Sequence, residues 1–265
     1  MTSSGKFMHI QMIGSRALVA AALLASLSPP VSAATVSGGT MVVNLDRDAL
    51  ADAIAIDATA APSMYLEEFF DAPAANSRTA TQILEDHIVP GVAEIPAKNL
   101  TFSVNGTHVA NLTGRHAKPT TIEFDPANFA STVTGVIGLS GVFRFRVDTG
   151  SEFNRILSGD YALEYDAANM DGASGRSAWS LYNHVSFRSQ SYNLFNVVLD
   201  IHDGSLDLSG ELGLGEGYDH LFGTRDAIVG NFSLHTSVVP VPASIWLFVS
   251  GLGGLTRIGM RRRQL

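Results

Sequence analysis

The 265-residue chain has no cysteine. Thiol catalysis, disulfide staples and cysteine-ligated zinc are therefore excluded within it. An exported domain of this size can stand on its hydrophobic core without disulfides, so the absence is compatible with life outside the cytoplasm. Acid is missing from both ends: residues 1–33 carry Lys6 and Arg16 but no Asp or Glu, and residues 241–265 carry Arg257, Arg261, Arg262 and Arg263 but no Asp or Glu. What lies between holds 11 basic residues against all 25 acidic ones, a formal charge of −14. That balance repels phosphate backbones, which argues against nucleic-acid binding, and attracts divalent cations. The chain also has no phosphate-binding glycine loop and no regular alternation of strands with helices, which argues against a nucleotide-binding α/β fold. No internal repeat is present; His184, His202 and His220 are evenly spaced, but their surroundings do not match.

The front end follows the grammar of a secretory signal. A modestly cationic lead to Arg16 precedes the apolar run from Ala17 to Leu27, then Pro29-Pro30 and the small-residue triplet Val31-Ser32-Ala33. Eleven residues rise only about 16 Å as a helix, too short for a membrane span. Cleavage between Ala33 and Ala34 is expected.

At the back end, Val239-Pro240-Val241-Pro242 leads into 14 uncharged residues, Ala243 to Thr256, then Arg257 and the cluster Arg261, Arg262 and Arg263. Because Arg257 can snorkel, a helix over 243–260 reaches about 27 Å, enough for a thin bilayer. The arginines are expected to hold the C-terminus in the cytoplasm and place residue 240 outside. This order of parts, a proline-bracketed extended segment, an apolar helix with Trp246 and clustered glycines, and a terminal arginine cluster, resembles the PEP-CTERM sorting signal of exported Gram-negative proteins. The residue between the prolines is Val241, where the name-giving motif has Glu. The resemblance covers residues 239–265 and implies handling by an exosortase, a membrane protease whose genes accompany extracellular polysaccharide production. The phrases Tyr65-Leu66-Glu67-Glu68-Phe69-Phe70 and His87-Ile88-Val89-Pro90-Gly91 also resemble exported proteins of that group.

The body, 34–238, reads as a β-rich domain. Val36–Leu45 predicts a first strand, Asp46–Ala58 a helix, and Pro62–Phe70 and Thr79–Val89 two short helical pieces. Leu100–Val104, Asn105-Gly106 and Thr107–Leu112 predict a hairpin with a type I′ turn. Later segments alternate: Phe143, Phe145 and Val147 against Arg144, Arg146 and Asp148; Tyr161, Leu163 and Tyr165 against Ala162, Glu164 and Asp166; and Leu206, Leu208, Leu212 and Leu214 against polar or glycine neighbours. Val197, Leu199 and Ile201 share one face of a strand, and Phe232 and Leu234 mark a last one. Strands with one dry and one wet face predict an antiparallel, jelly-roll-like β-sandwich with a few short N-terminal helices.

Catalytic signals are sparse. Glu67-Glu68 could form half of a glycosidase carboxylate pair, but sequence singles out no second carboxylate to face it, and a solvated helix face is the reading preferred. Ser140 lies in Gly138-Leu139-Ser140-Gly141, which is not the Gly-x-Ser-x-Gly elbow. His108 and His116 lack a third ligand for a metal site. Asp200, Asp203 and Asp207 around Gly204 are the calcium candidates, competing with ordinary turn chemistry. The resulting expectation is an exported envelope or matrix protein. It meets signal peptidase, an exosortase, the inner membrane and extracellular polysaccharide, and it carries no catalytic group and no cofactor. The alternatives are a secreted polysaccharide-active enzyme and a permanently membrane-anchored binding module.

Overall fold

The computed structural model describes residues 33–54, 64–86, 94–147, 154–202 and 204–240. In chain order these form β1 (Ala34–Leu45), α1 (Arg47–Ala53), β2 (Met64–Phe70), α2 (Ala72–Asn76), α3 (Ala80–Glu85), β3 (Leu100–Val104) and β4 (Glu123–Phe124). Then come α4 (Phe129–Thr132), β5 (Val136–Ser140), β6 (Val142–Val147), β7 (Arg155–Gly159), β8 (Ala162–Tyr165) and β9 (Arg176–Asn183). The chain continues through β10 (Ser189–His202), β11 (Ser205–Leu214), α5 (Glu216–Phe222) and β12 (Ile228–Pro240).

The expected sandwich is not what these strands build. Eight of them pair in the order β12-β11-β10-β9-β8-β5-β3-β1, and β1 then pairs back onto β12, closing an antiparallel barrel. Closure runs the full length of β1, from Ala34 opposite Pro240 to Leu45 opposite Gly230. Sandwich and barrel share one dry and one wet face per strand, so alternation cannot distinguish them; the decision rests on whether the first and last strands meet. The seam requires close backbone approach. Gly39 has φ of +136°, and a Cβ there would lie 2.1 Å from the His235 carbonyl oxygen. Only glycine fits that position without moving a strand.

The barrel is filled rather than hollow, as eight strands allow. Met41, Phe102, Leu139, Leu163, Leu181, Leu194, Leu208 and Leu234, one from each barrel strand, belong to one buried cluster. A second sheet, β2-β6-β7, adds Leu66, Phe143 and Phe145 to the same core. Phe102 packs edge-on against Phe143, with centroids 5.0 Å apart.

The two sheets are joined by one long bent hairpin. β5 runs into β6 through Gly141, and β7 into β8 through Asp160 and Tyr161; β5 pairs with β8 in the barrel, while β6 pairs with β7 in the small sheet. At the bend, Asp160 adopts φ of +45° and its N–H donates to the Gly141 carbonyl at 2.8 Å. Arg115 fixes this corner from below, donating to the Asp160 carboxylate through Nε at 2.7 Å and Nη2 at 2.5 Å, and also to the Ala75 carbonyl of α2.

A second buried guanidinium holds the small sheet. Arg144 of β6, expected on a wet face, is 1% exposed. It donates to Glu67 at 3.0 Å, Glu68 at 2.7 Å, and the Ile83 and Asp86 carbonyls at the end of α3 at 2.9 and 2.6 Å. Alternation fails here because β6 is covered on both sides. Two other expectations are corrected. The segment read as helical up to Phe70 is β2, because it pairs with β6 from Met64 opposite Val147 to Phe70 opposite Val142. No hairpin turns at Asn105-Gly106: β3 pairs with β1 and β5, and the Asn105 side chain is buried, donating to the Lys118 carbonyl at 2.8 Å. The helices at 46–58 and 79–89 are present in shorter form as α1 and α3; α3 begins with a capping box between Thr79 and Gln82. Among the described residues no helix is long and apolar enough to cross a membrane. The expected signal helix and the span over 243–260 lie outside those residues.

Candidate functional site

Glu67 and Glu68 are ion-pair residues rather than an open carboxylate pair. Glu67 accepts from Arg155 Nε at 2.6 Å and Nη2 at 2.7 Å besides its bond from Arg144. Burial pushes the Glu67 carboxyl up, but the Arg155 hydrogen bonds and the Arg144 charge outweigh it and hold it below its ordinary value. Ser140 is buried and donates to Asn105 Oδ1 at 2.6 Å. His108 and His116 are exposed on a loop, and among the described residues no group of three or more His, Asp or Glu is placed to hold a metal ion.

The calcium candidates Asp200 and Asp207 face each other across β10 and β11, while Asp203 lies outside the described residues. They share the outer barrel wall with two histidines that sequence spacing did not connect. His235 Nδ1 stands 2.5 Å from Asp207 Oδ1, and His202 lies 3.4 Å from Asp200. Asp200, Asp207, His235 and the exposed Val198 line a shallow groove of about 430 Å³.

His184, by contrast, is buried at the end of β9, and its Nε2 has no hydrogen-bond partner. Burial lowers its pKa to about 4, helped by the charges of Lys118, Arg188 and His116.

The expected cleavage pair Ala33 and Ala34 sits where β1 begins. Of the sorting motif, Val239 and Pro240 are the last residues of β12, paired with Thr35 and Ala34. Val241, Pro242, Arg257, Arg261, Arg262 and Arg263 lie outside the described residues.

Among the described residues lies a further cavity that the sequence did not announce. It lies between α5, β7 and the turn joining β9 to β10, and measures about 260 Å³. Ile156, Leu157 and Tyr218 contribute apolar walls. Phe187 and Leu221 stand at its edge, 61% and 57% exposed. Asn183 shapes the turn: its Nδ2 donates to the Val185 and Phe187 carbonyls at 3.1 and 2.9 Å, and Ser186 is held at φ of +65°. Beneath lies a chain of buried hydroxyls in which Tyr161 meets Ser158 at 2.8 Å and Ser158 meets Ser191 at 3.0 Å. Tyr192 and Tyr218 approach at 3.5 Å alongside. Burial raises all three phenols above their ordinary pKa, so they remain neutral hydroxyls. Spacing could not reveal the cavity because its parts come from three separate segments.

No family model matches the chain, and no curated protein matches it either. Among solved structures it is similar to the C-terminal domain of HtaA from Corynebacterium glutamicum, with a TM-score of 0.41 and 10% identity over 78% of this chain and 99% of that one. A likeness that loose assigns neither family nor function.

Proposed function

We propose that this chain is an exported cell-envelope or extracellular-matrix protein whose barrel domain acts by association, with extracellular polysaccharide as its partner, and not by catalysis. Signal peptidase frees Ala34, the apolar C-terminal stretch holds the chain in the inner membrane, and an exosortase acts at the Val239-Pro240-Val241-Pro242 motif. The observation that supports this reading is the seam: Ala34 pairs with Pro240 and Thr35 with Val239. Both processing points therefore leave the barrel side by side: the folded wall begins where the N-terminal signal ends and finishes within the first two residues of the sorting motif. Trimming at either place removes no barrel strand. The test is the intact mass of the protein recovered from envelope and medium of normal and exosortase-deleted cells. Loss of the C-terminal stretch only where the exosortase is present supports the reading; an unprocessed chain in both strains indicates a permanently anchored binding module instead.

One observation favours a second reading, a secreted polysaccharide-active enzyme: Asp200, Asp207 and His235 converge on one exposed groove. An assay of reducing ends released from glycans by the protein and by Asp207→Asn decides it. Release by the native chain that the substitution abolishes would establish the enzyme.

A further inference from the structure

The cavity beside α5 has the composition of a ligand site. Its walls are aliphatic and aromatic, yet it does not close: Phe187 and Leu221 remain largely exposed at its two lips. Exposed apolar side chains are common singly, but a pair flanking a concave apolar space is what an absent apolar body would cover. Phe187 is also held in place, since the turn that presents it carries a non-glycine residue at positive φ and is stapled by Asn183. Such a conformation persists only where its surroundings enforce it.

The floor specifies the head group. Ser191 is buried, and its hydroxyl meets only the Ser158 hydroxyl among the described residues. A hydroxyl can make one donated and two accepted bonds, so Ser191 keeps hydrogen-bonding capacity at the cavity. Because the chain of hydroxyls can reverse direction, it can donate or accept. Among the described residues no charged side chain lies on this floor, and at the rim Arg188 is already engaged, donating to Glu164 at 2.8 Å and stacking 3.8 Å from the Tyr182 ring, while His220 lies 3.5 Å from Glu216. A carboxylate inside would be buried without a counter-charge, at a cost that disfavours it. A sugar would press hydroxyls against Ile156 and Leu157 on most of its faces. The space corresponds to roughly nine water volumes, which limits the buried part of a ligand to a single ring system or a short chain.

We propose that this cavity binds a small neutral amphiphile, a compact aromatic or alicyclic body carrying one hydroxyl, with the hydroxyl on Ser191 and the body between Phe187 and Leu221. The site is independent of how the chain is delivered or trimmed.

Photolabelling tests this on the full chain in lipid nanodiscs, with a trifluoromethyl-diazirine phenol as the probe and its hydroxyl-free analogue as the control. Labelled residues are mapped by peptide mass. The expected result is labelling at Leu157, Phe187 or Leu221 that excess naphthol suppresses, with a preference for the phenol of about threefold to tenfold, the range of one neutral hydrogen bond. Ser191→Ala should equalise the two probes, and Leu221→Arg, at an exposed position, should reduce labelling by both. Absence of label from these residues, label that naphthol does not suppress, or a phenol preference that survives Ser191→Ala overturns the proposal. Near-ultraviolet circular dichroism of both variants separates loss of the site from loss of the fold.

Discussion

Replacing Arg144 by Met should be among the most damaging single changes in the domain. The guanidinium is 1% exposed and donates four hydrogen bonds: to Glu67, to Glu68 and to two carbonyls at the end of α3. Met fills much of the same space, so the cost comes from the groups left behind. The carbonyls of Ile83 and Asp86 lose a charged donor, and each such loss in a buried setting costs about 1–3 kcal/mol. Glu67 keeps Arg155, which limits the electrostatic damage to less than that of a fully orphaned carboxylate. Breaking one partner of a buried pair costs about 3–5 kcal/mol in general, and the retained Arg155 places this case near the lower end, about 3 kcal/mol. Equilibrium urea unfolding followed by the fluorescence of Trp179, buried beside Phe129 and Tyr165, measures it directly. Arg188→Met serves as the control, because that pair is exposed and should cost less than about 1 kcal/mol. A cost below about 1 kcal/mol for Arg144→Met would refute the view that this guanidinium ties α3 to the small sheet.

Gly39→Ala should destabilise by about 2–4 kcal/mol, because a methyl group cannot occupy a point 2.1 Å from the His235 oxygen and φ of +136° is strained for alanine; hydrogen exchange should accelerate first along β1 and β12. His184 should make the domain acid-sensitive. Its folded pKa of about 4 lies below the ordinary histidine value of 6.5, so the unfolded chain binds the extra proton between those values. Its contribution is therefore fully present above pH 6.5, falls as pH drops through that window and is gone below 4, a loss of about 2–3 kcal/mol. Urea midpoints at pH 7 and pH 5 should differ in the native protein and converge in His184→Gln. The cut at the sorting motif should fall after Pro240, since Val239 and Pro240 are held in the seam, and C-terminal peptide mass will locate it.

Much of the wall was legible residue by residue. Leu206, Leu208, Leu212 and Leu214 are buried as their alternation requires, as are Phe232 and Leu234, and β1 and β3 stand within two residues of their expected limits. Closure was not legible, because it depends on contact between residues about 200 apart and leaves no periodic trace. Arg144 departs from the alternation for a related reason: β6 is the central strand of its sheet, and the outer-face guanidinium is buried by Glu67, Glu68 and the end of α3. Local spacing before Phe70 favours a helix, and pairing with β6 overrides that preference. Of the candidate sites, the Asp200 and Asp207 pair was visible as a cluster, but His235 joins it only through the register of β11 and β12. The α5 cavity carries no motif, since Ser158, Ser191, Phe187 and Tyr218 acquire meaning only once the barrel is closed.

The most direct measurement of the central claim is the N-terminal sequence and intact mass of the exported protein in cells with and without the exosortase. A chain starting at Ala34 in both strains, and ending just beyond Pro240 only when the enzyme is present, is the predicted result. A chain that retains Met1, or one whose C-terminus is the same in both strains, contradicts the account.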